Sequence, residues 1–132
     1  MTVTREAEAG PAIHIRQTDA DRVGNLAVDI EGRQPQLAEL LLTEIDRATV
    51  VPDDQLPPDT VAMASTVTFV DDATGAERTV TLVYPQDADI DAGRISILSL
   101  IGAGLLGLKT GQSISWPDRT GKQRVLRIIA VN

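Results

Sequence analysis

The spacing of apolar positions changes along this chain, and the changes mark out its elements. Ala12 to Arg16 (AIHIR) alternates, placing Ile13 and Ile15 on one side as in a short strand. Val23, Leu26, Ala27 and Ile30 then follow at helical offsets and form one stripe, with Thr18 and Asp21 supplying an N-cap signature ahead of them. Gly24 within the stripe weakens that helix. Glu31 to Pro35 (EGRQP) breaks the pattern, and Pro35 suits the first turn of a second helix. From Gln36 to Ala48, the positions Ala38, Leu41, Ile45 and Ala48 make a seam flanked by Leu37, Leu40 and Leu42. Two helices joined by so short a loop form an antiparallel hairpin, a short coiled coil on the order of 20 Å long.

Beyond the hairpin, Val50 to Thr60 (VVPDDQLPPDT) combines three prolines with three acids and reads as a linker. The period then becomes two. Val61, Met63, Ser65, Val67 and Phe69 alternate in a first strand, Asp71 to Gly75 turns it, and Val80, Leu82 and Tyr84 alternate in the return. An acidic loop, Pro85 to Gly93, leads to a strand at Arg94 to Leu98. The most apolar window follows, Leu98 to Gln112 (LSLIGAGLLGLKTGQ), where closely spaced glycines serve tight packing and turns around a short buried helix near Ile101 to Leu108. Ser113 to Trp116 and Gln123 to Val131 form a last hairpin about Pro117 to Gly121, with Leu126 and Ile128 on one face and Val125, Arg127 and Ile129 on the other. The expected layout is a polar, frayed start with a short strand to residue 17, the helical hairpin over 18–49, the linker over 50–60, and over 61–132 an α+β domain in which an antiparallel sheet covers one helix.

Composition narrows the function. The net charge of -7 argues against a nucleic-acid surface, which needs clustered Lys and Arg, and fits a protein partner carrying basic groups. Phe69, Tyr84 and Trp116 are the only aromatic residues, so the core is aliphatic and an aromatic-lined ligand pocket is not expected. With no cysteine there is neither a disulfide framework nor a thiolate site. The acidic N-terminus lacks an apolar secretory core, and Lys109 ends the apolar window short of the roughly 20 residues of a membrane span, which points to a cytoplasmic protein away from membranes.

Candidate chemistry is sparse. His14 is the single histidine and sits between isoleucines, a structural position; it has no partner for nucleophilic or zinc chemistry. Asp87, Asp89 and Asp91 alternate like calcium-loop acids, but no glutamate follows at the required distance. GAGLLG lacks the Lys-Ser/Thr of a phosphate loop, so its glycines serve packing. No catalytic residue, metal site or cofactor is expected.

One stretch carries a family resemblance. ISILSLIGAGLLGLKTGQ, Ile95 to Gln112, resembles the C-terminal signature of the Gre transcript-cleavage factors, and LVYP, Leu82 to Pro85, together with the helical hairpin, resembles the short-armed regulator of nucleoside diphosphate kinase in the same GreA/GreB family. The resemblance implies an FKBP-like C-terminal domain. It also implies docking on bacterial RNA polymerase at the rim of the secondary channel through Ser99, Leu100, Ile101 and Gly102. In the Gre factors a long coiled coil carries metal-holding acids to the polymerase active centre. The arm here is too short for that, so the resemblance implies a non-catalytic transcription regulator that competes with cleavage factors. Asp29, Glu31 and Arg33 lie at the hairpin tip as candidate contacts, without a metal. The chain departs from the Gre pattern at Leu100, where that pattern has proline, and at Gln112, where it has aspartate. Two alternatives remain open: a generic dimerisation module using the leucine seam, and an FKBP-type peptidyl-prolyl isomerase. Oligomeric state is not readable from the sequence.

Overall fold

The structure, a computed structural model, describes residues 11–132. The expected frayed start falls, up to residue 10, outside them. Strand β1 (His14–Arg16) runs straight into helix α1 (Gln17–Ile30), which a four-residue turn joins to helix α2 (Pro35–Arg47) and then to strand β2 (Thr49–Val51). β1 and β2 pair in parallel, Ile15 opposite Val50, and the Thr49 N–H donates to the Ile13 carbonyl at 2.9 Å. Burying Ala20, Val23, Ala27 and Ile30 on α1 against Leu37, Ala38 and Leu41 on α2 produces the hairpin that the helical periodicity predicts. A Cβ at Gly24, in the middle of α1, would lie 4.0 Å from the Cδ1 of Ile45, near the end of α2, so after the short turn the second helix runs back along the first and the two are antiparallel. Pro35 occupies the first turn of α2 as expected.

Thr18 is not the cap of α1. The helix begins two residues earlier than such a cap would place it, with Arg16 at the N-cap and no side-chain capping bond. Because β1 leads directly into the helix, the free donor is satisfied from a distance: the Thr18 N–H and hydroxyl both donate to the Asp53 carboxylate. Those bonds hold Asp53 below the usual carboxylate range. The proline-rich stretch is therefore tied down along its length. Val50 and Val51 belong to β2, and Asp53–Gln55 forms a 3-10 turn.

The remainder is a five-stranded sheet of β3 (Thr66–Asp71), β4 (Ala76–Val83), β5 (Arg94–Ser96), β6 (Ser113–Pro117) and β7 (Gln123–Val131), in the order β5-β4-β3-β7-β6. Every neighbouring pair is antiparallel except β4–β5, so the sheet is mixed at one edge. A register shift between Thr68 and Phe69 bends β3 against β7. Val67, Phe69, Leu82, Leu126 and Ile128 are buried on the face that receives helix α3 (Leu100–Leu105), the α+β arrangement expected.

The strand expected at Arg94 to Leu98 ends at Ser96, and two further boundaries differ from expectation. The first strand begins at Thr66 rather than Val61, because Ala64 takes a φ of 75° and turns the chain. Val61 pairs instead with the loop after α3: its N–H donates to the Leu108 carbonyl at 2.7 Å and its carbonyl accepts from the Gly107 N–H. The short helix spans Leu100–Leu105, ending before Gly107, whose φ of +87° reverses the chain.

One continuous core joins the helices to the sheet, with Ile13, Val23 and Leu41 in the same apolar cluster as Phe69 and Leu105. At the joint, buried Asp19 accepts from the Arg16 Nε at 3.0 Å and from the Met63 N–H at 3.1 Å. Arg22 lies over the Tyr84 ring at 3.9 Å, and the Gln112 amide donates to the Ala12 carbonyl at 3.1 Å. Among the described residues no helix is long and apolar enough to cross a membrane.

Candidate partner-binding cleft

A short helix with three glycines nearby needs its ends held from outside. Ser99 does this for α3. Its hydroxyl oxygen accepts from the Gly102 N–H at 3.1 Å while its hydroxyl proton goes to the Ser96 carbonyl at 2.7 Å. Gly102 is buried, and a Cβ there would run into that same Ser96 carbonyl. Gly102 therefore lets the helix start sit close on the β5 loop. Leu100 and Ile101 on the same turn are half-buried, packed against the core.

These residues border a cleft of about 850 Å³ between the start of α3, the loop before β5 and the β6–β7 hairpin. Ile95, Leu100, Ile101 and Leu126 supply its apolar wall, and Trp116 supplies its floor. Trp116 is fixed from two sides. Its Nε1–H donates to the Leu100 carbonyl at 2.7 Å, and its ring closes against Gly104, where a Cβ would be 2.9 Å from the indole. Ile90 stands 83% exposed at the cleft rim. At the opposite rim, Arg124 bridges Asp71 at 3.2 Å and Asp118 at 3.1 Å. The Thr120 hydroxyl donates to Asp118, the backbone N–H groups of Thr120 and Lys122 add to it, and together with Arg124 they push the Asp118 carboxyl well below its ordinary range.

The other sequence candidates lie elsewhere. Asp29, Glu31 and Arg33 are exposed at the hairpin tip and belong to no part of the cleft. Among the described residues there is no group of three or more acids or histidines placed to hold a metal. Asp89 caps the 3-10 turn at Ile90–Ala92 and pairs with Arg94 at 3.6 Å. His14 lies in β1, where its N–H donates to the Gly107 carbonyl at 3.3 Å. Gln112, a departure from the Gre pattern, works at the joint: its side chain accepts from the Lys109 N–H and donates to the Ala12 carbonyl.

Known proteins share this architecture in both halves. Residues 56–132 match the family described as "Transcription elongation factor, GreA/GreB, C-term", and residues 11–51 match the family described as "Rnk N-terminus". The chain belongs to the GreA/GreB family. Within it, the chain is 36% identical over 106 residues to the regulator of nucleoside diphosphate kinase of Escherichia coli K12, covering 80% of this chain and 78% of that protein. It is 37% identical to the transcription elongation factor GreA of Acidiphilium cryptum, covering 77% of this chain but only 62% of that longer relative. A solved GreA/GreB elongation factor from Nitrosomonas europaea superposes with a TM-score of 0.71 at 38% identity, covering 92% of this chain and 98% of the other. The solved GreA/GreB relative shares both the helical N-terminal part and the curled sheet with its short helix, the second as the motif at Ile95 to Gln112 implies and the first as the helical hairpin with Leu82 to Pro85 implies.

The cleft's polar rim was not legible in the sequence. Arg78, Arg119 and Arg124 come from two strands and a turn, and they meet only because β4, β3 and β7 are neighbours in the sheet.

Proposed function

We propose that this GreA/GreB-family chain is a cytoplasmic, non-catalytic transcription regulator that binds bacterial RNA polymerase at the rim of the secondary channel and competes there with cleavage factors. The observation that carries the reading is the pairing of a Gre-like head with a stub. The head offers Leu100, Ile101 and Ile90 around an open cleft, whereas the arm is built from helices of 14 and 13 residues. At the α-helical rise, such an arm reaches roughly 20 Å. The head can grip the channel rim while the tip residues Asp29, Glu31 and Arg33 stay short of the polymerase active centre. Neither alternative gains support from a specific contact. The leucine seam is occupied, with Leu37 and Leu41 buried inside the fold, and Trp116 is the single aromatic residue lining the cleft.

The test is binding to bacterial core RNA polymerase. Ser99→Arg is an unsuitable probe because the Ser99 hydroxyl caps α3. Ile90→Asp places a charge at a rim position that contributes almost nothing to the core. Saturable binding by the wild type, weakened by Ile90→Asp and abolished by Ile101→Asp with folding intact by circular dichroism, is the expected result. Absence of wild-type binding would refute the reading.

A further inference from the structure

The stretch over 50–60 reads in the sequence as a linker, and a linker between an arm and a head is where a hinge would sit. Here it is tied at both ends. Asp53 accepts from the Thr18 N–H at 3.0 Å, which binds the front of the stretch to α1. At its far end the Asp59 carbonyl accepts from the Thr110 N–H at 3.0 Å, and the Val61 N–H donates to the Leu108 carbonyl at 2.7 Å, both in the loop after α3. Pro57 and Pro58 stiffen what lies between. A second set of contacts crosses directly from arm to head. Asp19 and Arg22 stand three residues apart on α1 and so share a face of the helix. Asp19, only 2% exposed, accepts from the Arg16 guanidinium and from the Met63 N–H of the head. One turn on, Arg22 lies 3.9 Å over the ring of Tyr84, the residue that follows β4. Burial, and after it the charge of Asp19, hold the Tyr84 phenol above its ordinary range, so the ring under Arg22 stays neutral. The Tyr84 hydroxyl is buried with no hydrogen-bond partner among the described residues. Tyr84 therefore holds the joint through its ring.

We infer that the joint is a clasp rather than a hinge: Asp19 and Arg22 grip Met63 and Tyr84, fix the direction in which the hairpin projects, and make arm and head one rigid lever. Arg22 and Tyr84 line no part of the cleft and lie outside the hairpin tip. They are positioning residues, acting on a partner only through where they hold the arm. The clasp is a property of the free chain, whereas its use at the channel rim rests on the polymerase-docking reading. A head that docks with its arm already aimed has no arm freedom to lose on binding, and the tip arrives at one place instead of many.

The full chain has no cysteine, so nitroxide labels can be placed by Arg33→Cys at the tip and Lys122→Cys in the β6–β7 turn, both exposed. Pulsed electron paramagnetic resonance then reads the distance between arm and head. The otherwise unaltered chain should give one narrow distance distribution. Asp19→Ala with Arg22→Ala opens both grips and should spread it to roughly twice its width or more. Arg22→Ala alone, at an exposed position that leaves the fold intact, should widen it partway. Arg22→Lys keeps a cation on the ring and Tyr84→Phe removes only the unpartnered hydroxyl, so both should stay narrow. A broad or two-peaked distribution without any clasp substitution, or an Arg22→Ala distribution as narrow as the starting one, would overturn the clasp. On core RNA polymerase, unlabelled Arg22→Ala should bind roughly threefold or more weakly than wild type, with Arg22→Lys restoring the affinity. Equal binding by Arg22→Ala would overturn the lever's use at the rim. If the wild type does not bind polymerase while the distance stays narrow, the docking reading falls and the clasp stands.

Discussion

Gly104→Ala tests how tightly the cleft floor is built. The added methyl would lie 2.9 Å from the Trp116 indole, closer than packed carbon atoms tolerate, and the indole cannot retreat without stretching its 2.7 Å bond to the Leu100 carbonyl. Overpacking of this kind costs about 1–3 kcal/mol, and the loss of a partly buried hydrogen bond adds about 1 kcal/mol. Replacing glycine by alanine inside a helix returns about 1 kcal/mol. The balance is a destabilisation of about 1–3 kcal/mol, which for a domain of this size lowers Tm by roughly 3–12 °C. Trp116 is the only tryptophan, so its emission reports this displacement directly. Thermal unfolding followed by fluorescence should show a lower Tm together with a shifted native emission maximum. A variant as stable as the wild type, with unchanged emission, would refute the claim that Gly104 and Trp116 are locked together.

Three further outcomes follow from the joint and the turns. Asp19→Ala leaves the Met63 N–H and the Arg16 guanidinium without their acceptor; since Arg16 keeps 32% of its side chain exposed and can rehydrate, urea denaturation should show a loss of about 2–3 kcal/mol, below the value for a fully buried pair, and Asp19→Asn a smaller loss. Gly107→Ala forces a methyl at a φ of +87° to within 3.0 Å of the Ile13 Cβ, and the same assay should show a loss of at least about 1 kcal/mol. Asp118 has a depressed carboxyl in the folded turn, so its contribution to stability is complete above the ordinary carboxylate range and is lost as the pH falls below it; Asp118→Asn should therefore make acid unfolding less steep, measured by circular dichroism against pH.

The elements that could be read from the sequence are those whose signal is local. The stripe on Ala27 and Ile30, the seam on Ala38 and Leu41, and the alternation around Leu126 and Ile128 each record one buried face, and each appears in the structure. Alternation alone starts the first strand too early, because Val61 and Met63 are buried for a different reason. Val61 pairs with the loop after α3 and Met63 enters the turn made by the positive φ of Ala64, and alanine gives no warning of such a backbone. Thr18 looked like a cap because its natural acceptor is Asp53, 35 residues away. The parallel pairing of β1 with β2 is also invisible locally, since it exists only once the hairpin has brought Thr49 back beside His14. The cleft was legible in part. The glycine-rich motif contains Leu100 and Ile101, which line the cleft, while Gly102 packs against the β5 loop, and the arginines converge through sheet order rather than through any sequence run.

The central claim is occupancy of the polymerase channel rim without cleavage. Its most direct measurement is a stalled transcription complex challenged with a Gre cleavage factor in the presence of increasing amounts of this chain. The account predicts that the chain alone releases no RNA fragment and that it suppresses cleavage by the Gre factor in a saturable manner, with Ile101→Asp unable to do so. Efficient cleavage by the chain itself, or Gre-dependent cleavage unaffected at saturating concentrations, would contradict it.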